Sequence, residues 1–87
     1  MRKRLLGKTG LTVSEVGFGG IPIQRVDPAM VKTILMECLR REVTFLDTAR
    51  GYTTSEEMIG AAIEGHRDSF VLATKTMAKS YEDMKRD

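Results

Sequence analysis

The sequence is short of cysteine, histidine and long apolar runs, and each shortage excludes a class of protein. One cysteine, Cys38, cannot form an internal disulfide, and one cysteine with one histidine, His66, cannot build a structural zinc site. No uncharged stretch approaches the ~20 residues that span a bilayer. No long apolar segment follows the basic N-terminus, so a signal peptide is not indicated. We therefore expect a cytoplasmic location, with Cys38 as a reduced core residue.

The charge of the chain is small and mixed. A net charge of +2 over 87 residues gives no basis for nucleic-acid binding, because basic residues are interspersed with acidic ones and the phenylalanines sit in apolar runs. The hydrophobic fraction of 41% and the charged fraction of 30% are ordinary for a soluble globular segment. Composition therefore predicts one small folded unit that binds neither nucleic acid nor membrane.

Strand-like and helix-like segments alternate along the chain without repeats, low-complexity tracts or linkers. The predicted strands are Arg2 to Leu6, Leu11 to Val13, Val16 to Phe18, Val43 to Leu46 and Phe70 to Thr74. Gly7 and Gly10 suit a tight hairpin turn between the first two. Such alternation calls for right-handed crossovers and a parallel sheet, which leaves two architectures open: a doubly wound sheet or a (β/α)8 barrel.

Three helices are predicted from caps and apolar periodicity. Asp27 can cap a helix that starts at Pro28, and its buried face has helical spacing: Val31, Ile34, Leu35, Cys38 and Leu39. Thr54 and Glu57 have capping-box spacing before a second helix, which Gly65 can end. Ser80, followed by acidic residues, indicates the start of a third.

The glycines after the third strand do not form a nucleotide-binding motif. Gly17 and Gly19 begin a G-x-G-x-x-G pattern, but Pro22 stands where the last glycine belongs, and no G-x-x-x-x-G-K-[ST] is present. Two interpretations of Gly19 and Gly20 stay open. They form a tight strand-to-loop turn, or they leave the backbone bare so that a flat ring can approach it.

A carboxylate, a phenol and an ammonium are predicted to converge at one edge of the sheet. Asp47 and Lys75 end neighbouring strands, and Tyr52 lies in the loop after the first of them. Parallel strands lie about 4.8 Å apart, so the two charged side chains could pair. A nearby cation stabilises a phenolate and makes a tyrosine a better proton donor. Taken singly, each residue also fits an ordinary role: a loop cap, a loop aromatic and a solvated lysine.

Several motifs, in order, resemble the N-terminal part of an aldo-keto reductase. They are Arg4 to Leu11, Gly17 to Gly20, Phe45 to Ala49 with Tyr52, Glu56 to Gly60, and Ala73 to Lys75. The Gly17 to Ile23 segment is similar to bacterial members, some of which carry a C-terminal iron–sulfur extension. The resemblance implies a (β/α)8 TIM barrel whose N-terminal hairpin closes the bottom.

The resemblance also implies a chemistry. An Asp, Tyr, Lys and His tetrad reduces a small carbonyl substrate with NADPH or NADH, and Asp47, Tyr52 and Lys75 match three of its members. Gly19, Gly20 and Asp47 would flank the nicotinamide. The tetrad histidine would follow the next strand, beyond Asp87, so His66 is expected to be a solvated turn residue.

Residues 1–87 would then be an incomplete barrel domain: the hairpin and the first three βα units, the last truncated. A complete barrel takes ~250 residues. Alone, the chain is expected to be inactive and to self-associate or to need the rest of its barrel. The alternatives are a non-catalytic assembly module and a small nucleotide-binding αβ domain.

Overall fold

A computed structural model describes residues 1–86 and has an antiparallel hairpin followed by a parallel αβ unit. The hairpin and sheet comprise β1 (Lys3–Leu5), β2 (Thr12–Ser14), β3 (Gly17–Gly19), β4 (Phe45–Asp47) and β5 (Val71–Ala73). The helices are α1 (Pro28–Arg40), α2 (Ser55–Ala62) and α3 (Tyr81–Arg86). Short 3₁₀ turns cover Pro22–Arg25 and Arg67–Ser69. The predicted order of strands and helices is confirmed.

Helix α1 forms where the sequence predicts it. Asp27 has extended backbone and its Oδ1 accepts a hydrogen bond from the Met30 amide at 2.9 Å, while Pro28 occupies the first turn. Val31 and Leu35 are fully buried. Cys38 is a free thiol that is only half-buried, and this burial raises its pKa. The expected core cysteine therefore lies at the margin of the core.

Helix α2 begins without the predicted capping box. The backbone of Thr54 (φ −101°, ψ 12°) is not extended, so its side chain does not turn back to cap the helix amides. The Thr54 hydroxyl instead contacts Met58 Sδ at 3.3 Å. The other end agrees with the sequence: the helix stops at Ala62, and Gly65 adopts φ +84°.

Helix α3 begins as the sequence predicts. The Asp83 amide donates to Ser80 Oγ at 3.2 Å, and two acidic residues occupy the first turn. None of the helices in residues 1–86 is long and apolar enough to cross a membrane.

The sheet has the order β3-β4-β5 and both pairings are parallel. Phe18, Leu46 and Leu72 are in register and lie on the face packed against the helices. The buried core between sheet and helices contains Ile23, Val31, Leu35, Leu46, Ile59, Ala62, Ile63 and Phe70. The opposite face carries Gly19, Asp47 and Ala73 in register at the carboxyl edge.

Strands β1, β4 and β5 are shorter than the sequence predicts, and β2 and β3 keep the predicted length but lie one residue later. At the amino ends of β4 and β5, backbone groups bond outside the sheet. The Val43 amide donates to Cys38 O at 2.8 Å, which closes the end of α1 instead of extending β4. Phe70 likewise closes a turn through its amide and Arg67 O at 3.2 Å. At its carboxyl end β5 stops at Ala73, so Lys75 lies two residues beyond the strand, whereas the sequence predicts it at the strand end.

The hairpin lies at the amino edge of the sheet. The buried Ser14 hydroxyl accepts hydrogen bonds from the amides of Thr44 (3.1 Å) and Phe45 (3.2 Å) and donates one to Val16 O at 2.6 Å. These bonds fix β2 beside the start of β4. The carboxyl edge, where Asp47 lies, is therefore left open on the other side of the sheet.

Candidate active site

Asp47 and Lys75 meet at the carboxyl edge of the sheet, as predicted. Asp47 is the last residue of β4, and Lys75 follows β5. Lys75 Nζ donates hydrogen bonds to Asp47 Oδ1 at 2.8 Å and to the carbonyl oxygen of Thr48 at 2.7 Å. The Arg50 amide donates to Lys75 O at 2.8 Å, so backbone contacts also hold the two segments together.

The ion pair keeps Lys75 charged. The hydrogen bond that Lys75 donates to Asp47, with electrostatic attraction to Asp47 and Tyr52, raises the pKa of Lys75 above its ordinary value against a smaller opposing effect of desolvation. The side chains of Lys75 and Asp47 are 51% and 54% exposed. An ion pair this exposed contributes little to stability, so the contact mainly orients the ammonium.

Tyr52 faces this ammonium from the loop between β4 and α2. The Lys75 Nζ atom lies 5.5 Å from the centre of the Tyr52 ring, within range for a cation–π contact. The loop is held by hydrogen bonds from the Tyr52 amide to Ala49 O (3.1 Å) and from the Ser55 amide to Tyr52 O (2.8 Å). The structure therefore brings together all three residues that the sequence singled out.

An open cleft of about 350 Å³ lies beside the tyrosine and the lysine. Its walls are largely apolar and comprise Ala49, Gly51, Tyr52, Lys75, Thr76 and Met77. A phenol and an ammonium thus border a cleft with apolar walls. This arrangement can bind a small organic molecule and place its polar end against the two groups.

The two glycines proposed to flank a nicotinamide have different surroundings. A Cβ atom added at Gly19 would have no heavy atom within 4 Å, and Gly19 is exposed and in register with Asp47. A Cβ added at Gly20 would lie 2.8 Å from Ser55 Oγ, 3.0 Å from Thr48 Oγ1 and 3.1 Å from Asp47 O. Packing within the chain explains Gly20, whereas no described atom occupies the space beside Gly19.

Alanine substitutions at the two glycines should therefore differ. We expect Gly20→Ala to cost about 1–3 kcal/mol of stability through overpacking, measured as a lower free energy of unfolding in urea. Gly19→Ala should leave that free energy unchanged and weaken binding of a nicotinamide cofactor. Equal stability losses in the two variants would contradict this account of the turn.

His66 lies away from this site, as the sequence predicts. It is exposed in the turn between α2 and β5, at the amino edge of the sheet, and its amide donates to Ile63 O at 2.7 Å. Among residues 1–86, no group of three or more His, Cys, Asp or Glu side chains is placed to hold a metal ion.

Sequence reasoning missed a buried pair of hydroxyls beneath the site. Thr48 Oγ1 and Ser55 Oγ lie 2.7 Å apart, and neither residue was singled out for a role of its own. Another missed contact is the hydrogen bond from Thr74 Oγ1 to Glu56 Oε2 at 2.7 Å, which ties the start of α2 to the chain after β5. The only sequence signal for the Thr48 and Ser55 pair was its position, since the two residues flank the loop that carries Tyr52.

The fold and the site together define the class: strands and helices of a βα barrel, with an Asp, Tyr and Lys cluster at the carboxyl edge, where barrel enzymes hold their active sites. The model of the aldo/keto reductase family matches residues 15–87, and the chain belongs to that family. The resemblance expected from the sequence motifs is confirmed.

Individual relatives agree with this assignment. The chain is 39% identical over 77 residues to the uncharacterized oxidoreductase YqkF of Bacillus subtilis (strain 168), covering 86% of this chain and 25% of that protein. It is 39% identical over 82 residues to L-galactose dehydrogenase of Arabidopsis thaliana, covering 83% of this chain and 25% of that one.

A solved structure confirms the fold. The aldo-keto reductase AKR11C1 from Bacillus halodurans, in its holo form, matches with a TM-score of 0.81 and 36% identity over 94% of this chain and 28% of its own. The described residues are thus the N-terminal part of a (β/α)8 barrel. The chain spans about a quarter of the length of these relatives.

Proposed function

We propose that the complete barrel containing this chain is an NAD(P)H-dependent oxidoreductase that reduces an aldehyde or ketone to an alcohol. The single observation that carries the proposal is the convergence of Tyr52, Lys75 and Asp47 beside an open cleft. The relatives named as an oxidoreductase and a dehydrogenase support the reaction class. In this proposal residues 1–87 supply the hairpin and the first three βα units.

Three side chains of this chain would handle the proton. Tyr52 donates its phenolic proton to the carbonyl oxygen as that oxygen gains negative charge. Lys75 stabilises the phenolate that remains, and Asp47 keeps Lys75 charged and oriented. A nicotinamide, when bound, supplies the hydride that reaches the carbonyl carbon. One proton and one hydride added to the carbonyl give the alcohol.

The residues around Gly19 fit a nicotinamide. Gly19 has open space where a side chain would project and is in register with Asp47, so a flat ring can approach the backbone there. Gly19, Gly20 and Asp47 would flank the ring, with Gly20 acting through the close packing that shapes the turn. The choice between NADPH and NADH would rest with residues outside this chain, as would the fourth tetrad member, a histidine.

The proposal is tested by cofactor oxidation with the purified complete barrel. The panel should hold aliphatic and aromatic aldehydes, ketones and, given the relative named for L-galactose, sugar aldehydes. We expect turnover with at least one carbonyl and either NADPH or NADH. Cofactor binding without turnover would favour the nucleotide-binding alternative, and neither binding nor turnover would favour a non-catalytic module.

The 87-residue chain alone should not turn over and should self-associate. In the described sheet β5 pairs only with β4, which leaves its other edge unpaired. Phe45 and Val71 are only half-buried on the sheet face away from the helices. Unpaired strand edges and uncovered apolar surface favour association. Sedimentation should therefore show dimers or larger species, and a compact monomer that reduces carbonyls would contradict both expectations.

A further inference from the structure

The hydroxyls of Thr48 and Ser55 form a buried hydrogen-bonded pair directly beneath the candidate site. Ser55 is 0% exposed and Thr48 is 4% exposed. Their oxygens lie 2.7 Å apart, and Ser55 Oγ also lies 3.4 Å from Gly20 O, to which it donates. At this distance either hydroxyl can be the donor within the pair.

This pair joins the three backbone segments that carry the site. The Ser55 hydroxyl contacts the turn after β3 through Gly20, and its amide donates to Tyr52 O at 2.8 Å. The Gly20 amide in turn donates to Asp47 O at 2.7 Å. Ser55 is thus hydrogen-bonded to the turn after β3, to the residue after Asp47 and to the loop that carries Tyr52.

Thr48 transmits this arrangement to the lysine. Its carbonyl oxygen accepts a hydrogen bond from Lys75 Nζ at 2.7 Å, and its amide donates to Ala73 O at 2.8 Å. The direction of that carbonyl therefore sets, together with the Asp47 carboxylate, where the ammonium sits relative to the Tyr52 ring. The Thr48 side chain holds this peptide group in place through its hydrogen bond with Ser55.

We propose that Thr48 and Ser55 are positioning residues, whose hydroxyl pair aims the Thr48 carbonyl so that Lys75 is held between Asp47 and Tyr52. The inference rests on the proposed function, because it assigns the pair a role in the same proton transfer. Neither hydroxyl reaches the cleft, so the pair acts through Lys75 and not on the substrate.

A valine substitution separates the hydroxyl from its volume. In the complete barrel, Thr48→Val keeps the shape and removes the hydroxyl that pairs with Ser55, whereas Thr48→Ser keeps the hydroxyl. We expect Thr48→Val to lower kcat by about 10- to 100-fold through misplacement of the reacting groups, with KM for the carbonyl little changed. Thr48→Ser should restore kcat to near the wild-type value.

Thr54→Val is the matched control. It removes a neighbouring hydroxyl that is exposed and contacts Met58 rather than the pair. Thermal unfolding of all variants shows whether a loss of kcat comes from a loss of stability. Folded Thr48→Val protein with wild-type kcat, or a Thr54→Val variant impaired as strongly as Thr48→Val, would overturn the proposal.

A second measurement does not depend on activity. The pKa of Lys75 can be followed by NMR titration of its labelled side chain in the complete barrel. It should fall in Thr48→Val, because the ammonium loses its alignment with the Thr48 carbonyl and Asp47, and should stay unchanged in Thr54→Val. An unchanged Lys75 pKa in Thr48→Val refutes the positioning role. If the wild type is inactive but the Lys75 pKa still falls in Thr48→Val, only the proposed reaction is refuted and the positioning role stands.

Discussion

Replacing Tyr52 with phenylalanine is expected to lower kcat for carbonyl reduction at least ~100-fold in the complete barrel, the lower end of general-acid contributions. The substitution removes the phenolic proton and keeps the ring that faces Lys75 Nζ at 5.5 Å. Since the ring stays in the wall of the cleft, affinity for the nicotinamide cofactor should be nearly intact. Steady-state kinetics and direct cofactor titration measure the two quantities separately.

Tyr81→Phe is the matched control for this substitution. Tyr81 begins α3, is 78% exposed and is not among the residues that line the cleft. It should leave kcat unchanged, because its hydroxyl has no place in the proposed proton transfer. Turnover at the wild-type rate in Tyr52→Phe would remove Tyr52 as the proton donor, whatever the control shows.

Replacing Lys75 with methionine should be similarly damaging and should change the pH dependence. The ammonium stabilises the phenolate that forms as Tyr52 gives up its proton, so its loss should lower kcat. The hydrogen bond to Asp47 raises the pKa of Lys75, so the wild-type rate should fall as pH rises through that raised value. Lys75→Met has no ammonium to lose and should lack this fall. Rate measurements across the pH range check both effects.

Lys79→Met provides the control, because Lys79 is an exposed lysine on the same segment before α3. It should leave the pH dependence as in the wild type. A Lys75→Met profile that matches the wild-type profile would show that Lys75 has only a structural role.

Loss of the ion pair should alter stability little. The pKa of Lys75 is raised in the folded state. The contribution of Lys75 to the free energy of unfolding is therefore complete below its ordinary pKa and is lost as pH rises through the raised value. Both side chains are about half exposed, so solvent screens the pair. A kinetic defect in Lys75→Met thus reports on chemistry and not on unfolding.

The sequence could predict the elements and the charged pair because both depend on local pattern. Asp27 and Pro28 mark the start of α1 through interactions within one turn. Asp47 ends β4 and Lys75 follows β5. Parallel pairing alone brings the carboxyl ends of two such neighbouring strands together. Neither inference required knowledge of how distant side chains pack.

The contacts that the sequence could not predict join residues far apart in the chain. Ser55 Oγ reaches Gly20 O across 35 positions, and Ser14 Oγ accepts from the Phe45 amide across 31. The failed capping box at Thr54 has a local origin: the turn from Tyr52 to Ser55 keeps the Thr54 backbone out of the extended conformation that a cap needs. Such contacts follow from register and loop geometry, which residue types alone do not specify.

The most direct test of the proposed reaction traces the hydride from the nicotinamide to the alcohol. The complete barrel should be given a carbonyl substrate and a reduced nicotinamide that carries deuterium at both C4 positions, and the alcohol analysed by mass spectrometry and NMR. We expect one deuterium on the carbinol carbon in the wild type, with product formation at least ~100-fold slower in Tyr52→Phe. Alcohol without deuterium at that carbon, or no alcohol with any carbonyl tested, would contradict it.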